Sequence, residues 1–418
     1  MKHVLVLAAA ILLAVGSRGQ TNNLSIEDCY QLARKNYPML KQHDLIAKTK
    51  QYSIQNAGKG YLPQLNVYGQ LTHQSDVTTV PIKIIGVEIP ILNKTQYRIY
   101  AELDQTIYDG GNIKNEQRGY AADALVDSQR LEVDLYALKG RVNDLFFGSL
   151  LMDEEISQNE LRKKDIELGL KKIEASIANG TALKSSADQL KAELLQADQQ
   201  TISLKSTRKA YMDMLAVFIN QPTDNATLVK PPLVSVSQEI KRPELLMYDY
   251  QRQGLDVQTK KINSATLPRF DLFVQGGAGL PGLDLLKNEF APFYMGGVRL
   301  NWSLTGLYTQ KKQRALVDFN RRNIDLQRET FIFNTNLDLK NQNAGINKLE
   351  QLLKEDDEII DLRARVKNSS LAQLENGVIT TNDYLTQVNA EDQARQNKIL
   401  NQIQLLITVY QQKTTTGN

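Results

Sequence analysis

YLPQLNVYGQL at residues 61–71 and TLPRFDLFVQG at residues 266–276 follow one plan. Each carries Leu-Pro near its start (Leu62-Pro63 and Leu267-Pro268), then alternates apolar with other residues. A glutamine, Gln70 or Gln275, falls at the same distance beyond each proline. Proline has no backbone donor for a sheet ladder but is tolerated where a strand begins. Both stretches therefore read as strands opening at Leu-Pro. Side chains alternate across a strand, so Leu65, Val67, Gly69 and Leu71 face one way and Asn66, Tyr68, Gln70 and Thr72 the other.

Each strand is followed by a second. In QYRIYAELDQTIYDGG (96–111), Tyr97, Ile99, Ala101 and Leu103 oppose Arg98, Tyr100, Glu102 and Asp104. In APFYMGGVRLNWSLTG (291–306), Tyr294, Gly296, Val298, Leu300 and Trp302 oppose Met295, Gly297, Arg299 and Asn301. In the 266–276 strand, Phe270, Leu272, Val274, Gly276 and Ala278 oppose Arg269, Asp271, Phe273, Gln275 and Gly277. Every run reaches the ~9–11 residues with which a strand crosses a bilayer. Period-two alternation with aromatic ends marks a membrane barrel strand, though a soluble half-buried sheet carries the same pattern.

Long helical sequence follows each strand pair, and each half then reaches an Asn-Gly pair: SIANGTALKSSADQLKAE at 176–193 and AQLENGVITTNDYLTQVN at 372–389. Leu138, Val142, Leu145, Ser149, Met152 and Ile156 alternate steps of four and three, as do Ile166, Leu170, Ile173 and Ile177. That is coiled-coil spacing. Residues 113–178 hold no proline; as one helix they would extend about 100 Å at ~1.5 Å per residue. Glycines 119, 140, 148 and 169 mark either close helix approach or a bend. The repetition divides the chain into a first half, 20–219, and a second, 238–418, joined by a Pro-rich linker at 220–237. The first half holds a helix, a β-hairpin at about 61–108 and a helical hairpin at about 112–219. The second holds a helix, a β-hairpin at about 267–304 and a helical hairpin at about 307–413.

The chain opens MKHVLVLAAAILLAVGSRGQ, a basic start and short apolar run that read as a signal peptide over residues 1–19. Fifty basic residues against forty-seven acidic give a charge of +3, with the signs interspersed. That is not the concentrated basic footprint of a nucleic-acid binder. The single cysteine, Cys29, excludes an intrachain disulfide framework and reads as a packed helix residue. Four strands cannot close a membrane barrel, since bacterial single-chain barrels begin at about eight. An open sheet in lipid would leave unsatisfied edges. If the strands lie in a membrane, copies must pool them: two chains fill their own interior, whereas three give twelve strands around a lumen.

The early helix LSIEDCYQLARKNYP, the two Leu-Pro strands, the junctions IYDGG and WSLTG, and the two Asn-Gly turns occur in this order across nearly the whole mature chain. In that arrangement the sequence resembles the TolC-like outer-membrane efflux proteins. The resemblance implies a mixed α/β membrane protein with an internal two-fold repeat. Four strands per chain would join a homotrimeric twelve-stranded outer-membrane β-barrel, continued by a long α-helical coiled-coil barrel in the periplasm. It further implies docking of a periplasmic membrane-fusion adaptor, which connects to an inner-membrane transporter. The loops at 74–95 and 280–292 would lie outside the cell. Asn179, Gly180, Thr181, Asn376, Gly377 and Val378 would form the periplasmic tips where the adaptor binds. Glycine suits such turns because they favour a positive φ. Asp383 matches a family position that narrows the tunnel, and Asp188 is the nearest acid in the first half. Ile379 stands where some members carry an arginine, so the same gate chemistry is not implied.

An enzyme is not expected. His43 and His73 are too isolated for a metal site, and neither a G-x-S-x-G elbow nor a phosphate-binding G-x-x-x-x-G-K loop occurs. Gly276-Gly277-Ala278-Gly279 precedes Leu-Pro-Gly rather than a helix. No cofactor or metal is expected. Three readings stay open: a passive exit duct of a tripartite efflux system for small molecules, the exit duct of a type I protein secretion system, and a periplasmic coiled-coil scaffold.

Overall fold

A computed structural model describes residues 22–79, 91–224 and 226–418. The expected signal peptide and the middle of the 74–95 loop lie outside the described residues. The chain forms two compact units. One holds the described residues up to Leu40 together with Leu131–Pro243 and Thr330–Asn418; the other holds Lys41–Arg130 and Glu244–Glu329. The units do not follow the two sequence halves, because each draws on both.

The first unit is helical. Helix α1 (Ile26–Asn36) starts at Ser25, whose side chain accepts from the Asp28 N–H while the Asp28 carboxylate accepts from the Ser25 N–H. This reciprocal box satisfies two donors that a helix start leaves free. Long helices follow: α4 (Leu138–Ala178), α5 (Lys184–Ile219) and α8 (Thr381–Thr416). The coiled-coil stripe read from the sequence faces inward: Val142, Ser149 and Ile166 are at 0 % exposure, while Leu145, Met152, Ile156, Leu170 and Ile177 are half-buried. One core gathers Ile26, Cys29, Val142, Phe147, Leu215, Ile403 and Tyr410. Phe147 packs on Tyr410 with ring centroids 5.4 Å apart. Cys29 is packed as expected, and burial pushes its thiol up to about 12. Within the linker, β4 (Ala226–Leu228) pairs in parallel with β1 (Asn22–Leu24), a contact with no sequence signature.

The proline-free 113–178 stretch is two helices in succession. Helix α3 (Asn112–Tyr136) is separated from α4 by Ala137, whose backbone stays in the right-handed helical region. Helix α7 (Gly306–Glu375) is continuous over 70 residues, about 105 Å of helix path at ~1.5 Å per residue. The glycine question is settled at two positions. A Cβ on Gly169 would lie 2.6 Å from Tyr384 Cε1, and one on Gly148 3.0 Å from Tyr211 Cζ. Both mark close helix approach rather than a bend.

The second unit holds α2 (Gln42–Gly58), α6 (Pro243–Ser264), the neighbouring stretches of α3 and α7, and one four-stranded sheet. Its strands are β2 (Gln64–His73), β3 (Thr95–Tyr108), β5 (Arg269–Leu280) and β6 (Ala291–Asn301). Their order is β2-β3-β5-β6, every pair antiparallel. The two expected hairpins are thus joined edge to edge by β3 and β5. Pro63 and Pro268 immediately precede their strands, where a missing ladder donor costs nothing. At the first strand-to-helix junction, the Asp109 carboxylate accepts from the Gly111 N–H at 2.8 Å and the Ile113 N–H at 2.6 Å. That satisfies the opening turn of α3.

Candidate functional site

The register of the sheet sorts its side chains into two unlike faces. Leu65 lies opposite Leu103, which lies opposite Val274, and Val274 opposite Gly296. Val67, Ala101, Gly276 and Tyr294 form the next such row. Leu272 lies opposite Val298 and Phe270 opposite Leu300. Every strand therefore gives its apolar set to the same face, and that face is bare: Val67, Leu71 and Val298 are 69 %, 73 % and 67 % exposed. Apolar residues in such a continuous array mark a surface meant for a non-aqueous partner.

The opposite face is laced by polar contacts. Arg299 donates to Glu102 at 2.8 Å and to Asp104 at 3.1 Å, and Gln275 also donates to Glu102. Arg269 donates to Asp271 at 2.8 Å and to Thr106 at 2.9 Å, and Arg98 holds Gln70 at 2.8 Å. Tyr68 stacks on Tyr100 at 5.2 Å. An apolar face backed by a polar one is how barrel strands separate lipid from lumen. Among the described residues, no helix is long and apolar enough to cross a membrane.

The Asn-Gly turns share one geometry. Gly180 has φ +74° and Gly377 has φ +70°, a region glycine enters without steric cost. At the first turn, the Gly180 N–H donates to Ile177 O at 3.0 Å and the Thr181 N–H to Ser176 O at 2.9 Å. At the second, the Gly377 N–H donates to Leu374 O at 3.0 Å and the Val378 N–H to Gln373 O at 2.8 Å. Both are the paired 5→2 and 6→1 bonds of a Schellman helix end. Asn179 and Asn376 close their helices from the cap position, and the Asn376 amide donates back to Ala372 O at 2.8 Å. A cluster of Ile166, Ile173, Leu190, Leu374, Tyr384 and Val388, with Ile177 and Ile379 packed on it, brings both turns to the same end of the helices. Lys172 pairs with Glu375 across it at 2.7 Å. Val378 is 70 % exposed.

Asp383 has a local partner that the sequence reading did not assign. Its carboxylate accepts from the Thr380 N–H at 2.9 Å and the Thr380 hydroxyl at 2.7 Å, while Thr380 Oγ1 accepts from the Asp383 N–H at 3.2 Å. Thr380-x-x-Asp383 is a capping box at the start of α8. These bonds to Thr380 hold the Asp383 carboxyl below its usual range. Asp188 is exposed one turn into α5.

Further along the same helices lies a charge network that sequence reasoning missed. Lys367 pairs with Asp165 at 2.7 Å and with Glu391 at 2.6 Å, and Arg395 pairs with Glu391 at 2.6 Å. Arg162 reaches Glu193 and Asn389, and Gln158 donates to Asp392 at 3.1 Å. Burial alone would raise the Glu391 carboxyl, but Lys367 and Arg395 outweigh it and hold it low. Burial raises Asp392, and its Gln158 and Arg162 neighbours do not fully offset this.

A two-faced antiparallel sheet together with long paired helices is a fold shared with solved outer-membrane channels. Solved structures with this fold include the outer membrane protein VceC from Vibrio cholerae, at TM-score 0.66 and 12% identity, covering 94% of this chain and 96% of that one. The Campylobacter jejuni CmeC outer membrane channel matches at TM-score 0.64 and 13% identity, covering 94% and 85%. The Neisseria gonorrhoeae MtrE outer membrane channel matches at TM-score 0.63 and 14% identity, covering 94% and 89%. At these identities the likeness is one of fold. Residues 29–217 match the outer membrane efflux protein family. No curated protein matches the chain in sequence. The resemblance to TolC-like outer-membrane efflux proteins therefore holds, and with it the location: the bacterial outer membrane, with the helical part in the periplasm.

Proposed function

We propose that three copies of the chain form a passive duct through the outer membrane, the exit of a tripartite system that exports small molecules. The observation that carries this reading is the sheet itself: four antiparallel strands with one bare apolar face and β2 and β6 at its edges. Successive pairs alternate in direction, so β6 and β2 run opposite to each other. Copies joined β6 to β2 would continue the antiparallel pattern without a break, and a closed ring removes every edge. Twelve strands leave room for a lumen lined by the polar face.

The helices beside the sheet support the need for other copies. Helix α2 has no buried residue, and α6 buries only Ser264. Helices gain most of their stability from packing an apolar face, and Leu45 and Tyr52 on α2 are left exposed. Within the proposal, residues 20–219 and 238–418 are two copies of one ancestral unit. Asn179, Gly180, Thr181, Asn376, Gly377 and Val378 dock a periplasmic membrane-fusion adaptor that connects to an inner-membrane transporter. Asp383 and Asp188 lie toward the aperture. The chain contributes no catalysis, and energy comes from the inner-membrane partner. A protein-secretion duct would use the same architecture, and the match to the efflux family favours small molecules. A soluble scaffold would leave the apolar face of the sheet in water.

The test is extraction and migration. The duct reading expects the protein to need detergent for release from outer membranes and to migrate faster unheated than boiled. Full solubility in the periplasm overturns it.

A further inference from the structure

At the helix end of the sheet, two kinds of side chain gather in bands. Tyr61, Tyr108, Trp302 and Tyr308 lie at or just beyond the strand ends, and all four are exposed. Trp302 is oriented by its indole N–H, which donates to Thr266 O at 3.1 Å. Tyrosine and tryptophan gather at this depth because their rings suit the apolar region while their polar atoms reach the headgroups. Five to eleven residues beyond the strand ends lie six lysines: Lys59, Lys114, Lys260, Lys261, Lys311 and Lys312. All are exposed.

None of these lysines is held by a partner of opposite charge. Among the described residues, none of the six has a carboxylate within ion-pair distance, so their ammonium groups are free to meet a ligand. Four of the nearby acids have other hydrogen-bond partners. Asp109 accepts from the start of α3, Glu116 accepts from the Tyr120 hydroxyl at 3.2 Å, and Asp104 and Asp271 face Arg299 and Arg269. The result is a band of ammonium groups without ion-pair partners directly beyond an aromatic band, on a sheet whose apolar face is bare.

We infer that this lysine collar binds the phosphate headgroups of anionic phospholipids in the leaflet nearest the helices. The inference rests on the membrane reading above and adds the lipid class to it. An ammonium near an anionic surface gains attraction that fades within a Debye length, so only lysines this close to the strand ends contribute. A threefold ring would repeat the set around the barrel. The collar would also fix insertion depth, since moving the sheet along the membrane normal would draw the lysines away from the phosphates or the tyrosines into water.

The test is reconstitution of the detergent-purified protein into phosphatidylcholine vesicles, with or without phosphatidylglycerol, followed by identification of the lipid that co-purifies on re-extraction. The collar expects several-fold enrichment of phosphatidylglycerol over its share of the vesicle. Enrichment should fall to that share when all six lysines are replaced by glutamine, and return when they are replaced by arginine. Inorganic phosphate should not displace the bound lipid at moderate concentration. Enrichment that survives in the glutamine variant, equal retention of both lipids, or displacement by inorganic phosphate overturns the collar while leaving the duct intact. Failure to partition into either vesicle overturns the membrane reading and the collar with it.

Discussion

Gly169 on α4 lies directly beneath the ring of Tyr384 on α8: a Cβ at Gly169 would sit 2.6 Å from Tyr384 Cε1. The Tyr384 hydroxyl donates to Asp165 O at 2.9 Å, one turn away on α4, so the ring is held from both ends. Burial first, then Asp165 and Glu391, pushes its phenol well above the usual range. In an isolated helix Gly→Ala stabilises by up to ~1 kcal/mol. Here the added methyl must displace a buried ring, and overpacking costs about 1–3 kcal/mol. Gly169→Ala is therefore expected to lower the thermal unfolding midpoint followed by helix circular dichroism, and a raised midpoint would contradict the close approach.

Glu391 and Asp392 are neighbours with opposite responses to pH. The Glu391 carboxyl is lowered by Lys367 and Arg395 despite its burial, so its contribution is present above the unfolded carboxylate range and is lost as pH falls through its lowered value. Asp392 is raised by burial, so its charge costs stability at neutral pH and the cost is relieved as pH falls. Glu391→Gln should destabilise at pH 7 by about 1–3 kcal/mol, since Lys367 loses a charged partner. Asp392→Asn should cost much less or stabilise. Unfolding midpoints measured from pH 7 down into the carboxylate range check both, and the gap between the variants should shrink as pH falls.

The tip glycines carry a structural and a functional expectation. No atom lies within 4 Å of a Cβ placed on Gly180 or Gly377, so the obstacle to a side chain is backbone conformation. A β-branched residue at positive φ costs about 1–2 kcal/mol. Gly180→Val and Gly377→Val should thus leave membrane insertion intact while reducing adaptor-dependent export in cells. Export at the wild-type level would remove these turns from the docking surface.

Asp383 has one observed role, the cap of α8, and one proposed, a charge at the aperture. Thr380→Ala removes one partner in the capping box without changing charge and should cost about 1 kcal/mol of stability. Asp383→Asn removes the charge and weakens the same box. An aperture role expects Asp383→Asn, but not Thr380→Ala, to reduce cation preference in planar bilayers. Equal selectivity in both variants would leave only the cap.

The strands were legible because a period of two survives any context and proline marks where each ladder begins. The positive φ of Gly180 and Gly377 was legible because few other residues tolerate it. Other features depend on partners far apart in the chain. The β3–β5 pairing, the β1–β4 bridge and the Lys367–Asp165 contact each join segments more than a hundred residues apart, and no local pattern announces them. The cap at Asp383 is a different case: Thr380-x-x-Asp383 is a sequence signature for a helix start, overlooked because the same residue matched an aperture position.

The most direct test of the proposed duct is the mass of the particle that detergent releases from outer membranes. Twelve strands require three chains of 47.1 kDa, less the expected signal peptide, in one particle. A trimer is the expected result. A stable monomer or dimer would contradict the account, because neither supplies the strands for a closed barrel with an open bore.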